Sequence, residues 1–161
     1  QKWLTRIWLR DVVHDGAKMM GSSYRVPNRP VAPGEDVAEA DFVIIERMPV
    51  KSLITAPATG TDLGERSIEV RGHAWSGDRS VSRVDLSIDF GASWFEADLE
   101  APVNDGAWQN FRGRVDFPQA GYYEVWARAT DSAGDMQPFA IDWNPKGYLN
   151  NTMHRVGVRV A

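Results

Sequence analysis

The stretch SRVDLSIDF, Ser82 to Phe90, decides the fold. Val84, Leu86, Ile88 and Phe90 occupy every second position, with Asp85, Ser87 and Asp89 between them. Successive side chains of a strand point to opposite faces, so this spacing predicts a strand with one apolar face and one polar face turned to solvent.

The same texture continues on both sides. SIEVRGHAW (Ser67 to Trp75) alternates, with Ile68 and Val70 on one face. DFVIIERMPVKSLIT (Asp41 to Thr55) reads as one or two strands broken at Pro49, which cannot donate to a ladder. WFEADL, WQNFRGRVDF, GYYEVWARATD and HRVGVRV follow, separated by clusters of Gly, Pro, Asn and Asp. Six or seven short strands with turn signals between them, and no convincing amphipathic helix, predict an all-β fold: an antiparallel β-sandwich of immunoglobulin type.

Upstream the texture changes. QKWLTRIWLR (Gln1 to Arg10) brings two Trp, two Leu and an Ile at once and reads as an apolar strand already in mid-course. Then HDGAKMMGSSYRVPNRPVAPGEDVAEA (His14 to Ala40) carries three Pro and three Gly with little periodicity, the mark of a long extended connection. So long an irregular segment suits a chain that lies against something larger.

Composition bounds the chemistry. With 161 residues, 43% hydrophobic and 25% charged, the chain can bury a core, and its seven Trp fit an aromatic-rich β protein. A net charge of −4, without a Lys/Arg stripe, argues against nucleic acid as the main partner. No apolar run approaches the roughly 20 residues of a membrane-spanning helix. Cys is absent, so this chain supplies no disulfide, no thiol nucleophile and no thiolate ligand to a metal.

SIDFGASW (Ser87 to Trp94) fits the Asp-box pattern S-x-D-x-G-x-[ST]-W, which sialidases repeat once per blade. Here it occurs once and reads as a hairpin device: Asp89 accepts backbone N–H groups, Gly91 takes positive φ, and Trp94 packs beneath. His14, His73 and His154 are too scattered for a metal site. Asp36, Glu39, Asp41, Asp85 and Asp89 are expected to face solvent, with no pair set apart for acid–base work. NNT (Asn150 to Thr152) matches a glycosylation acceptor, a pattern common by chance. Two loops remain as candidates beside their plain structural roles. WNPKGYLNNTMHRV (Trp143 to Val156) puts Lys146 in a Pro–Gly turn bracketed by aromatics, a fixed cation suited to an anion. SSYRVP (Ser22 to Pro27) puts the Tyr24 phenol beside the Arg25 guanidinium, a pair able to serve an oxyanion.

Taken together, KWLTRI (Lys2 to Ile7), MPVKSLITAPATG (Met48 to Gly60), VRGHAWSGDRSVSRVDLSIDFGASW (Val70 to Trp94) and WNPKGYLNNTMHRVGV (Trp143 to Val158) resemble the C-terminal part of the sulfite oxidase family of molybdenum enzymes. The phrase R-G-x-A-W-S-G, the Asp-box hairpin and W-N-x-[KR]-G-x-L-x-N-x-x-H-R-V occur there in this order. The resemblance covers nearly the whole chain.

It implies that residues 1 to about 41 are the end of a molybdenum-cofactor domain and its exit segment. Residues 42–161 would be the immunoglobulin-like dimerisation domain, so that Gln1 falls at a break inside a larger enzyme. It implies oxidation of sulfite to sulfate, with electrons passed to a cytochrome-type acceptor, in a homodimer. Lys2, with Gln1 beside it, matches the segment that contacts the pterin of the cofactor. Tyr24 matches a catalytic tyrosine beside the metal, and Lys146 a cation of the substrate pocket that is Arg in animal members. The family's metal-ligating Cys and N-terminal arginines have no counterpart here, so the molybdenum cofactor would be held mainly by residues outside this chain. Bacterial members suggest a periplasmic enzyme. A Sox-type sulfane dehydrogenase on the same scaffold, a non-catalytic dimerisation module and a carbohydrate-recognising sandwich are the alternatives.

Overall fold

The computed structural model describes residues 2–13, 16 and 18–161, and the chain divides into two units. The smaller comprises residues 1–45 and 143–148, the larger 46–142 and 149–161.

In the smaller unit β1 (Arg25–Pro27) pairs antiparallel with β2 (Phe42–Ile44), Val26 opposite Val43. A single turn of 3-10 helix, Glu39–Asp41, leads into β2. The predicted strand over Lys2–Arg10 does not form: these residues carry no strand, and all of them are exposed. Trp3 is 94% and Leu9 100% accessible, because among the described residues no neighbouring strand closes a ladder along them. The DFV run also behaves differently from the expectation of a sandwich strand, since its partner is the exit segment through β1.

The larger unit is a two-sheet sandwich. Its strands are β3 (Lys51–Ala56), β4 (Thr61–Leu63), β5 (Ser67–Trp75), β6 (Val81–Ser87), β7 (Phe95–Glu96), β8 (Asp98–Leu99), β9 (Gln109–Asp116), β10 (Gly121–Asp131) and β11 (His154–Val160). One sheet runs β4-β11-β10-β6-β7, the other β3-β5-β9-β8. Every pairing is antiparallel except that of β4 with β11. The predicted immunoglobulin-like sandwich is therefore the observed one, with β4 added from a Thr–Gly-rich turn that shows no strand pattern. WFEADL splits in two: β7 pairs with β6 in one sheet and β8 with β9 in the other, the chain crossing between sheets at the buried Ala97.

The core lies between the sheets. Val84 and Leu86 of β6 face Val70 and Ala74 of β5, Phe111 and Val115 of β9, Val125 and Ala127 of β10, and Val156 and Val158 of β11. Gly72 is where Phe111 needs room: a Cβ there would lie 2.2 Å from both the Phe111 ring and the Leu53 carbonyl oxygen. Among the buried polar groups, Gln137 is fully enclosed and satisfied. Its Oε1 accepts from Ser52 Oγ at 2.6 Å and Ala129 N–H at 2.9 Å. Its Nε2 donates to the Asn151 and Thr152 carbonyls. One side chain thus ties β3, β10 and the approach to β11 together.

Three details of the deciding stretch depart from expectation, one being that Ser87, read on the solvent face, is fully buried. Asp85 is only 2% exposed, because Arg83 Nε (2.6 Å) and an Arg128 amine (3.2 Å) cover it on the outward face, and the Arg128 guanidinium stacks 4.0 Å over Trp94. A carboxylate can be buried when it is paired in this way. Phe90, expected on the apolar face, is 63% exposed, because the strand ends at Ser87 and Phe90 adopts φ +59° at the hairpin tip.

The hairpin otherwise follows the Asp-box reading. Asp89 accepts from the Ser93 hydroxyl, the Ser93 N–H and the Ser87 hydroxyl, which together draw its carboxyl down to about 2. Gly91 takes φ +83°, and a Cβ on it would meet the Trp94 ring at 3.0 Å.

Candidate functional site

Tyr24 closes the turn that precedes β1. Its backbone sits at φ +53°, a left-handed conformation uncommon for a tyrosine. Two contacts hold it there. Its carbonyl accepts the Ile45 N–H at 3.2 Å, extending the β1–β2 pairing. Its own N–H donates to the Tyr148 phenol oxygen at 3.4 Å. The Tyr24 and Tyr148 rings stack with centroids 5.8 Å apart and planes 23° apart. The Tyr24 side chain remains half exposed.

Lys146 lies in the turn Asn144–Pro145–Lys146–Gly147. Pro145 fixes one φ, and Gly147 supplies a positive one at +69°. The Asn144 side chain organises the rest: its Oδ1 accepts the Lys146 N–H at 3.0 Å, and its Nδ2 donates to the Tyr148 carbonyl at 3.4 Å. The Gly147 N–H closes the turn onto the Asn144 carbonyl at 3.0 Å. The ammonium of Lys146 is exposed, and neither it nor the Arg25 guanidinium has a carboxylate partner among the described residues. The turn thus carries a cation with no carboxylate partner among the described residues, two positions before the residue whose ring packs on Tyr24.

Of the residues read from the sequence, the structure brings Tyr24 together with the Lys146 loop. Lys2 is exposed in a segment without regular structure, and no hydrogen bond or ion pair joins it to either residue. Gln1 lies outside the described residues, as does His14. The sequence reading missed Tyr148; its signal was an aromatic directly after the turn glycine.

The donor set of this chain does not fit molybdenum ligation. It has no Cys, and among the described residues no three His, Asp or Glu side chains gather as a metal site. His73 Nδ1 lies 2.9 Å from Asn110 Oδ1, with its ring stacked on Trp108. His154 Nδ1 accepts the Ile54 N–H at 3.0 Å. Both histidines are structural.

Sheet order and core define an immunoglobulin-like sandwich, continued in the same chain by a unit that carries a free cation and a strained tyrosine. Residues 42–161 match the Mo-co oxidoreductase dimerisation domain, and the chain belongs to that family. It is 38% identical over 177 aligned residues to the mitochondrial sulfite oxidase of Drosophila melanogaster, covering 99% of this chain and 30% of that protein. The mitochondrial sulfite oxidase of Rattus norvegicus is 32% identical over 165 residues, covering 96% and 30%. The sulfane dehydrogenase SoxCD of Paracoccus pantotrophus superposes with a TM-score of 0.63 at 27% identity, over 83% of this chain and 34% of that one. The resemblance to the C-terminal part of the sulfite oxidase family is thereby borne out. The chain spans about 30% of the length of the curated relatives it matches.

Proposed function

We propose that this chain is the C-terminal portion of a molybdenum-dependent enzyme that oxidises sulfite to sulfate, with electrons leaving to a cytochrome-type acceptor. Residues 1–41 end the cofactor domain, and residues 42–161 form the dimerisation domain. The metal is ligated outside this chain, and Lys2 with Gln1 meets the pterin portion of the cofactor. The observation that carries the reading is the Tyr24–Tyr148 stack on the same hydrogen-bonded turn as Lys146, an exposed cation with no carboxylate partner among the described residues. Lys146 balances the charge of a small sulfur oxyanion, and the Tyr24 phenol donates to one of its oxygens. Such groups act mainly by electrostatics fixed in advance of binding. The reading includes export to the periplasm, which cell fractionation tests.

Homodimerisation draws on a second feature. The outward face of the five-stranded sheet carries Trp126 between Phe139 (5.3 Å) and Phe90 (6.0 Å), with Arg155 over its ring and Glu124 on its Nε1–H. Phe90, Phe139 and Tyr122 remain exposed. Apolar rings beside charges of both signs suit a two-fold contact, in which the same patch meets itself. Sedimentation of the protein that stays monomeric at high concentration would remove this part of the reading.

The catalytic part is tested in the enzyme that carries this chain, after its molybdenum content is measured. Lys146→Met is expected to raise KM for sulfite about tenfold or more, the loss of one charge-assisted contact. Tyr24→Phe is expected to lower kcat/KM. Sulfite turnover untouched by both substitutions sinks the assigned roles. The likeness to SoxCD favours one other substrate, a sulfane sulfur. Turnover of a sulfane substrate with none of sulfite would select that reading.

A further inference from the structure

We infer that Tyr148 is a positioning residue that holds Tyr24 and Lys146 in one constellation. This assignment rests on the functional reading above and concerns the same site.

Three features of the smaller unit carry it. First, Tyr24 occupies a backbone conformation that costs an L-residue energy, of order 1 kcal/mol or more, and persists only where surroundings impose it. Tyr148 is one of the two groups that impose it: its phenol oxygen accepts the Tyr24 N–H, and its ring stacks on the Tyr24 ring. Second, Tyr148 is not an independent side chain. Its carbonyl receives the Asn144 amide, whose oxygen in turn fixes the Lys146 N–H. Asn144 therefore connects the backbone that bears the cation to the backbone that bears the stacked ring. Third, the cation is a lysine. Its flexible four-carbon stem and compact charge give less geometric definition than a guanidinium fork, so the backbone turn is the only part of its placement that hydrogen bonds among the described residues fix. A link from that turn to the phenol compensates for this.

The link predicts a specific pattern. Tyr148 does not touch the oxyanion, so its loss should loosen the two groups that do. Binding then suffers more than turnover, since bound substrate still meets both groups, at a cost in ordering them.

The experiment compares Tyr148→Ala and Tyr148→Phe in the enzyme carrying this chain, with two readouts. In steady state, Tyr148→Ala is expected to raise KM for sulfite about tenfold while kcat changes less than about threefold; Tyr148→Phe, which keeps the stack, stays within about threefold in KM. By amide hydrogen exchange, Tyr24 is expected to be protected in the wild type and to lose protection in both variants, since each lacks the phenol oxygen that its N–H meets.

A double substitution with Lys146→Met guards against simple misfolding. If Tyr148 acts through the cation, its KM effect shrinks in that background; if it only stabilises the unit, the effect persists in full. Unchanged KM in Tyr148→Ala, or a persistent effect in the double variant, overturns the proposal. A wild-type enzyme that turns over neither sulfite nor a sulfane overturns the functional reading itself, and the Tyr24 exchange result would then show whether the link survives as structure alone.

Discussion

Two amphipathic stretches of this chain meet opposite fates. Lys2–Arg10 and Val81–Ser87 both interleave large apolar residues with charged ones. In β6 the apolar residues Val84 and Leu86 are completely buried, and even Asp85 and Ser87 on the other face are covered. In the opening segment Trp3, Leu4, Ile7, Trp8 and Leu9 all stand in solvent. The difference is not one of composition. β6 has β10 on one side and β7 on the other, and a second sheet across the core. The opening segment has no strand on either side among the described residues. A pattern that alternates is a capacity to bury one face, realised only where other elements close the ladder and cover that face.

The contrast makes stability asymmetric, and thermal or denaturant unfolding can break it. Phe111→Ala, in the centre of the core against Gly72, should cost about 3–5 kcal/mol. Leu9→Ala, at a fully exposed position, should cost less than about 0.5 kcal/mol. A large loss from Leu9→Ala would mean that the opening segment is packed after all.

Gln137→Leu sharpens the picture inside the sandwich. It leaves the Ser52 hydroxyl, the Ala129 N–H and the Asn151 and Thr152 carbonyls without their shared partner. A loss of about 2–4 kcal/mol is expected on unfolding, although the substitution is apolar and close in size. Unchanged stability would mean that these groups find other partners.

The smallest effect is titratable. Burial first, and the Lys51 ammonium second, push the His154 imidazole below its ordinary value. The unfolded chain therefore binds a proton more readily than the native one. The stability contributed by neutral His154 is complete above about pH 6.5 and is lost as pH falls below that value toward the depressed one. Protonation also removes the acceptor that the Ile54 N–H uses. His154→Gln should flatten the melting temperature between about pH 5 and 7 relative to wild type. An unchanged slope would assign the pH dependence to other groups.

How much of this was legible beforehand differs by element. β5, β6, β9, β10 and β11 were readable because alternation, turn residues and aromatic content agree in each of them. β4 was not, because its three residues lie in a Gly-bounded turn and become a strand only by pairing with β11. The burial of Asp85 was hidden for a similar reason. Its partners Arg83 and Arg128 are 2 and 43 residues away, and the second is brought near only by the β6–β10 register. In the smaller unit, Tyr24 and Lys146 could be singled out one at a time, from local chemistry and from a family resemblance. Tyr148, which connects them, shows only as an aromatic after the turn glycine; that it stacks on a residue 124 positions away leaves no local sign.

The sequence by itself determined the fold class, the positions of the long strands, the Asp-box hairpin, and the absence of any thiolate for a metal. These depend on spacing and residue type over a few positions, where propensity and sterics act directly. The tertiary structure alone decided which alternating stretches are buried, where the chain changes sheets, how one buried glutamine meets four hydrogen-bonding partners, and that Tyr24 rests on the loop of Lys146. These depend on which distant segments meet, and a contact between distant segments exists only once the chain has closed on itself.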